Sequence, residues 1–151
     1  MIRLARIGHV ALRVADVERS RAFYTKLLGF EVVEEDPEHG GLFMALEGLS
    51  HTIDLFPVGD PRAAPAQAPG AVGVRHVAFL VESEQALKEA YVTLQANGVT
   101  IVRAVDHVSQ KSIYFHDPDG NVLEIYYELP DARELFRRGR GDRDAPLAFP
   151  P

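Results

Sequence analysis

The chain has 151 residues, of which 46% are hydrophobic and 25% charged, with a formal net charge of −6. That length suits one domain with a sizeable core, and the acidic balance without a basic stripe excludes a nucleic-acid binder; the arginine-rich run over 133–143 is interleaved with Glu134, Asp142 and Asp144 and reads as a solvated tail. The absence of cysteine excludes disulfides, thiolate metal sites and cysteine nucleophiles, and no apolar run is long enough for a membrane span or a signal peptide, so a cytoplasmic location is expected.

The first predicted element is a buried strand over 6–14, apolar on both faces. Asp16 is a good N-cap, and Val17, Ser20, Phe23, Tyr24, Leu27 and Leu28 give helical spacing up to Gly29. Strands follow over 30–34, 42–46 and 52–56, with Gly40 and Gly41 marking a turn, so the first half reads βαβββ. Residues 59–73, rich in proline and alanine, read as a linker. The pattern then returns as a strand over 75–81, an amphipathic helix over 84–97 stopped by Gly98, a strand over 99–103, and a hairpin with strands over 112–116 and 122–127. The hairpin turn is Asp117-Pro118-Asp119-Gly120-Asn121, where proline presets φ, glycine allows positive φ, and the Asp and Asn side chains can bond local amides.

The second half repeats the first. His9-Val-Ala-Leu-Arg-Val matches His76-Val-Ala-Phe-Leu-Val 67 positions later, the segment beginning at Leu28 matches the one beginning at Asn97 with an offset of 69, and Asp54 falls opposite Glu124 with an offset of 70. The fold class is therefore α+β, with tandem βαβββ modules over about 6–58 and 74–128 forming a curved, barrel-like mixed sheet around a cavity, all within one domain over 1–128. The extension over 129–151, with four prolines and alternating charges, is expected to be mostly irregular.

The duplication makes polar residues converge. His9 and His76 begin equivalent strands, and Asp54 and Glu124 lie on equivalent last strands. Glu124 interrupts an otherwise apolar strand, and a carboxylate turned inward there needs a cation, a metal or several donors. Two histidines with one or two of these carboxylates form a metal site of the two-His-one-carboxylate type. This donor set suits Fe(II), Mn(II), Zn(II), Ni(II) or Co(II) and leaves positions open for water or substrate.

The paired His-Val-Ala strands, the tandem modules and the ending Tyr114-Phe-His-Asp-Pro-Asp-Gly-Asn-Val-Leu-Glu124 resemble the vicinal oxygen chelate superfamily, over roughly 7–128. That superfamily includes glyoxalase I, extradiol ring-cleaving dioxygenases, methylmalonyl-CoA epimerase, fosfomycin-modifying enzymes and bleomycin-binding proteins. Within it, Asp106-His107-Val108-Ser109, seven residues before the hairpin segment at Tyr114, is similar to the arrangement in small catechol extradiol dioxygenases. The resemblance implies Fe(II) held by His9, His76 and Glu124, His107 as the acid/base for a catechol proton, Tyr114 as a hydrogen-bond donor to a substrate oxygen, and a homodimer. It also implies a further histidine near Asp54, for which His51 is the candidate, although His51 can equally be a turn residue. A glyoxalase-like lyase or epimerase with Asp54 as fourth ligand, and a metal-free binding protein of the bleomycin-sequestering kind, are the alternatives. His39, His116 and Arg13 read as solvated, and Phe56 and Tyr126 as cavity wall or core.

Overall fold

The computed structural model describes residues 1–62, 64–65, 68, 70–139 and 143–149. They form two compact units, Met1–Ala66 and Gln67–Pro151, and each carries its own open mixed sheet with the βαβββ order of the repeat. Among the described residues, no helix is long and apolar enough to cross a membrane.

Unit 1 runs β1 (Val10–Val14), α1 (Val17–Lys26), β2 (Glu31–Glu35), β3 (Leu42–Ala45) and β4 (Ile53–Pro57). The spatial order is β1-β4-β3-β2, with β1 parallel to β4 and the other pairs antiparallel. Strand β1 begins four residues later than the sequence suggests, because the first register partner on β4 is Ile53, opposite Val10. The Asp16 carboxylate accepts from the Arg19 N–H at 3.0 Å and so caps α1. Alternation then sorts the sheet. Val10, Leu12 and Val14 share a face with Ile53, Leu55, Leu42 and Met44, and Val14, Met44, Ile53 and Leu55 are fully buried with Tyr24 of the helix. Fully burying one such aliphatic side chain contributes about 1.5–3 kcal/mol. Ala11, Arg13, Phe43, Asp54 and Phe56 lie on the opposite face.

Unit 2 runs β5 (Val77–Leu80), α2 (Glu84–Ala96), β6 (Ile101–Asp106), β7 (Gln110–His116) and β8 (Val122–Glu128). The extension is more ordered than the sequence suggests. It forms α3 (Ala132–Arg138) and a two-residue strand, β9 (Ala145–Pro146), giving the order β5-β8-β7-β6-β9. Strand β9 pairs with β6 through Val105 and Asp106, the Leu147 N–H donates to the Ala104 carbonyl at 3.0 Å, and Phe149 stacks on Tyr91 at 4.5 Å between ring centroids. These are pairings distant in sequence, and no periodicity in the tail announces them.

Ile113 and Phe115 of β7 and Leu123 and Ile125 of β8 form the buried face, with Leu87 and Leu94 of α2 in the same core. The hairpin between β7 and β8 closes as expected. The Asp117 carboxylate accepts from the Asp119 and Asn121 amides at 2.9 and 2.8 Å and from the Asn121 side chain at 2.9 Å, and Gly120 has φ 84°.

One irregularity recurs in both units. On β6 the register steps from Ile101 opposite Phe115 to Arg103 opposite Tyr114, and on β2 from Val32 opposite Met44 to Glu34 opposite Phe43. Each is a β-bulge that inserts one residue and turns the next side chain to the other face. The core-free face of unit 2 thereby carries a row across three neighbouring strands, Arg103, Tyr114 and Glu124. The corresponding row in unit 1 is Glu34, Phe43 and Asp54.

Candidate active site

In unit 1, Asp54 is only 2% exposed. Its Oδ1 lies 2.8 Å from His51 Nδ1, and its Oδ2 lies 3.6 Å from His9 Nε2. The two imidazoles stack with centroids 4.3 Å apart, and Phe43 sets its edge against His51 at 5.9 Å. His9, His51 and Asp54 each offer one ligand atom, all within 4.8 Å of one another, so the group has the composition and spacing to bind a metal ion. His51 is thus built into the polar cluster rather than left as a turn residue.

Unit 2 holds the other pair. Glu124 is 2% exposed; its Oε2 lies 2.9 Å from His76 Nε2, and its Oε1 accepts from the Gln110 amide at 3.1 Å. Gln110 also donates to Ser112 Oγ at 3.2 Å. No lysine or arginine ion pair compensates Glu124 among the described residues. A buried carboxylate whose close partners are an amide, an imidazole and a phenol is an incomplete electrostatic arrangement, and a divalent cation would complete it. The donor chemistry therefore fits a metal of the kind the resemblance implies.

Beside this pair, Tyr114 is buried, with its hydroxyl 3.0 Å from His107 Nε2; the imidazole tautomer decides which of the two donates. His107 Nδ1 stands 2.9 Å from Asp144 Oδ2, off the line of a straight hydrogen bond, which makes the contact electrostatic. Tyr114, His107 and Asp144 thus form a chain from the sheet to the C-terminal extension. His107 sits in a tight β6–β7 turn, where its N–H donates to the Gln110 carbonyl at 2.8 Å. The next residue, Val108, has φ 69°, a left-handed conformation that costs a β-branched residue on the order of 1–3 kcal/mol. The Val108 N–H bond to the Asp106 carboxylate at 2.8 Å helps hold it there.

Burial raises the Tyr114 pKa above the ordinary tyrosine value, and the adjacent Glu124 carboxylate raises it further, against smaller opposing effects of Ser112 and Arg103. Burial likewise raises Tyr126, reinforced by Glu128 and Glu124. Both phenols therefore hold their protons to higher pH in the fold than in the unfolded chain, and the stability this contributes is present below about pH 10 and lost as pH rises through the folded values. Part of the tyrosinate absorbance of the metal-free protein is expected above the ordinary tyrosine range, and that part should be reduced in Tyr114→Phe. A single unshifted titration would contradict the burial assignment.

The cavity over this face measures about 290 Å³ and is lined by Arg75, His76, Arg103, His107, Gln110 and Tyr114, with Glu124, Phe136 and Asp144 completing it. Of the residues expected from sequence, the fold joins His9 to Asp54, His76 to Glu124, and His107 to Tyr114. It leaves His39 exposed against Asp36, and His116 and Arg13 exposed. Gln110, Arg103 and Asp144 were not anticipated. Gln110 shares strand parity with Tyr114 and was legible on that basis, whereas Arg103 reaches the site through a bulge and Asp144 through the extension.

A model of the glyoxalase/bleomycin resistance protein/dioxygenase superfamily matches residues 6–125. Biphenyl-2,3-diol 1,2-dioxygenase 2 of Rhodococcus globerulus is 29% identical over 137 residues, covering 89% of this chain and 70% of that one. The metallothiol transferase FosB of Staphylococcus saprophyticus is 32% identical over 127 residues, covering 80% and 75%. Among solved structures, a glyoxalase/dioxygenase from Nostoc punctiforme superposes with a TM-score of 0.68 at 25% identity, covering 82% of this chain and 91% of that one. The repeated βαβββ units, the paired His and carboxylate residues and these matches together place the chain in the glyoxalase/bleomycin resistance protein/dioxygenase superfamily, most of whose members are metal-dependent enzymes acting on small molecules.

Proposed function

We propose that the protein is an extradiol-type ring-cleaving dioxygenase acting on a small catecholic substrate, with Fe(II) held by His9, His76 and Glu124. The observation that carries this reading is the His107–Tyr114 hydrogen bond set beside the His76–Glu124 pair. A catechol has two acidic protons and two adjacent oxygens, and this corner offers a proton acceptor, a neutral phenol and a buried carboxylate to match them. His107 takes a hydroxyl proton, as imidazoles do near neutral pH. Tyr114, kept neutral by burial, donates to a substrate oxygen. When bound, the metal supplies Lewis acidity toward the catecholate oxygens and the redox chemistry that lets dioxygen react with a closed-shell ring. The bond between a hydroxylated ring carbon and its non-hydroxylated neighbour breaks, and each of those carbons gains one atom of the dioxygen.

Asp54 supports a second reading. A buried carboxylate facing His9 is placed as a further ligand would be in a glyoxalase-like lyase or epimerase, where the metal polarises a carbonyl and a carboxylate or imidazole moves the proton. The test is anaerobic reconstitution with Fe(II), then 3-methylcatechol or 2,3-dihydroxybiphenyl with oxygen, following yellow ring-opened product and oxygen uptake. Product formation supports the dioxygenase; tight Zn(II) or Ni(II) binding without product moves the assignment to the lyase. The proposed ligand set also requires His76→Ala to lose metal while His51→Ala retains it, and the opposite result would place the ion in the unit 1 triad. From the family resemblance we also infer a homodimer, checked by sedimentation, and a cytoplasmic location.

A further inference from the structure

We propose that the unit 2 cavity is built for a substrate carrying an anionic group, a carboxylate on the ring or on a short side chain, and that Arg103 determines this specificity. The inference rests on the catechol reading for the ring, but the anion site has its own basis in the sheet.

The bulge on β6 is the first observation. Without it, the register that sets Ile101 opposite Phe115 would put Val102 opposite Tyr114 and leave Arg103 on the core face; the inserted residue places Arg103 opposite Tyr114 instead. Bulges are used in this way to re-aim side chains beside active sites. The same bulge in unit 1 delivers Glu34, not a cation, to the equivalent place, so a basic residue there is a feature of the second unit alone.

Position is the second observation. Arg103, Tyr114 and Glu124 occupy successive strands in register. Strands stand about 4.8 Å apart, so the row spans about 10 Å between the backbones at its ends. A single ring held by its two oxygens at the Glu124 and Tyr114 end would present its substituent toward Arg103. The guanidinium carbon lies 4.2 Å from the Tyr114 ring centroid, a stacking contact that orients the head group while leaving its N–H donors available.

Charge is the third. Arg75 and Arg103 both line the cavity, and neither is paired with a carboxylate among the described residues. The acidic groups of the cavity are engaged elsewhere, Asp144 with His107 and Glu124 with His76. With Glu124 given to a metal, Arg103 remains as the cation at the β6 end of the row, while Arg75, just ahead of β5, lies on the Glu124 side. A guanidinium receives a carboxylate through two parallel N–H donors, which neither an ester nor an alkyl group can reproduce.

The test compares 3,4-dihydroxybenzoate with its methyl ester on the full chain. Dissociation constants are measured by calorimetry on anaerobic Fe(II)-loaded and metal-free protein, and oxygen is then admitted to read turnover. The acid is expected to bind about tenfold or more tightly than the ester, the scale of a charge-assisted hydrogen bond. That preference should fall to near parity in Arg103→Met, with ester binding little changed, and return in part in Arg103→Lys. A merely structural role for Arg103 would weaken both probes together. Equal binding of the two, binding of neither, or a preference untouched in Arg103→Met overturns the proposal. Acid preference without ring opening of either probe would remove the dioxygenase reading and leave the anion site standing; ring opening of both with equal affinity and efficiency would do the reverse.

Discussion

Glu124→Gln is expected to abolish metal retention and ring-opening activity together while leaving the fold intact. Glu124 sits at the middle of the unit 2 sheet, 2% exposed, with Gln110 and His76 against its two oxygens. Those contacts satisfy hydrogen-bonding capacity but do not balance the charge, so without metal the native carboxylate carries an uncompensated desolvation cost. Removing that charge while keeping the shape should leave the metal-free melting temperature equal to or above that of the native chain. The loaded state should differ in the opposite sense. A ligand at one hundred times its dissociation constant adds about 2.7 kcal/mol to stability, and for a chain of this length that raises Tm by about 5–10 °C. Melts with and without anaerobic Fe(II) should show this rise in the native protein and none in Glu124→Gln. A variant that keeps its metal and its melting shift would remove Glu124 from the ligand set and the proposed function with it.

What the sequence made legible follows from which signals are local. The duplication could be read because three aligned segments kept their spacing, and the hairpin at 117–121 because Pro118, Gly120 and the flanking Asp and Asn each have one conformational use. His76 beside Glu124 and His107 beside Tyr114 followed from that repeat and from the family resemblance. Arg103 did not, because parity counted along β6 assigns it to the wrong face, and only the backbone registers the inserted residue. Asp144 and Phe136 lie in a segment whose composition says solvated tail, yet β9 completes an edge of the sheet, and its pairing with Val105 and Asp106 depends on residues almost 40 positions away. His51 was ambiguous for another reason. A turn histidine and a ligand histidine have the same neighbours in sequence, and the stack on His9 and the contact with Asp54 appear only once β1 and β4 pair.

His107→Ala is expected to lower turnover by about 10²-fold or more while leaving metal binding unchanged, the usual scale for removing a positioned acid or base. His107 lies outside the proposed ligand set. Its Nε2 meets the Tyr114 hydroxyl and its Nδ1 faces Asp144, so it can take or return a proton on the Tyr114 side while the carboxylate of the extension acts on it electrostatically. Removing the imidazole therefore takes away proton transfer without touching Glu124 or His76. The same geometry ranks the neighbouring variants. Tyr114→Phe keeps the ring under Arg103 but loses the hydroxyl, and should impair turnover while the acid-over-ester preference survives. Asp144→Asn keeps the shape and removes the charge opposite Nδ1; acting through His107 rather than on substrate, it should cost less, about tenfold. Metal content, single-turnover rates and pH profiles of the three variants separate these roles, and added imidazole should restore part of the His107→Ala rate. Full activity in His107→Ala would show that the hydrogen bond to Tyr114 serves the fold of the β6–β7 turn, where Val108 is already held in a strained conformation, and that the proton of the substrate leaves by another route.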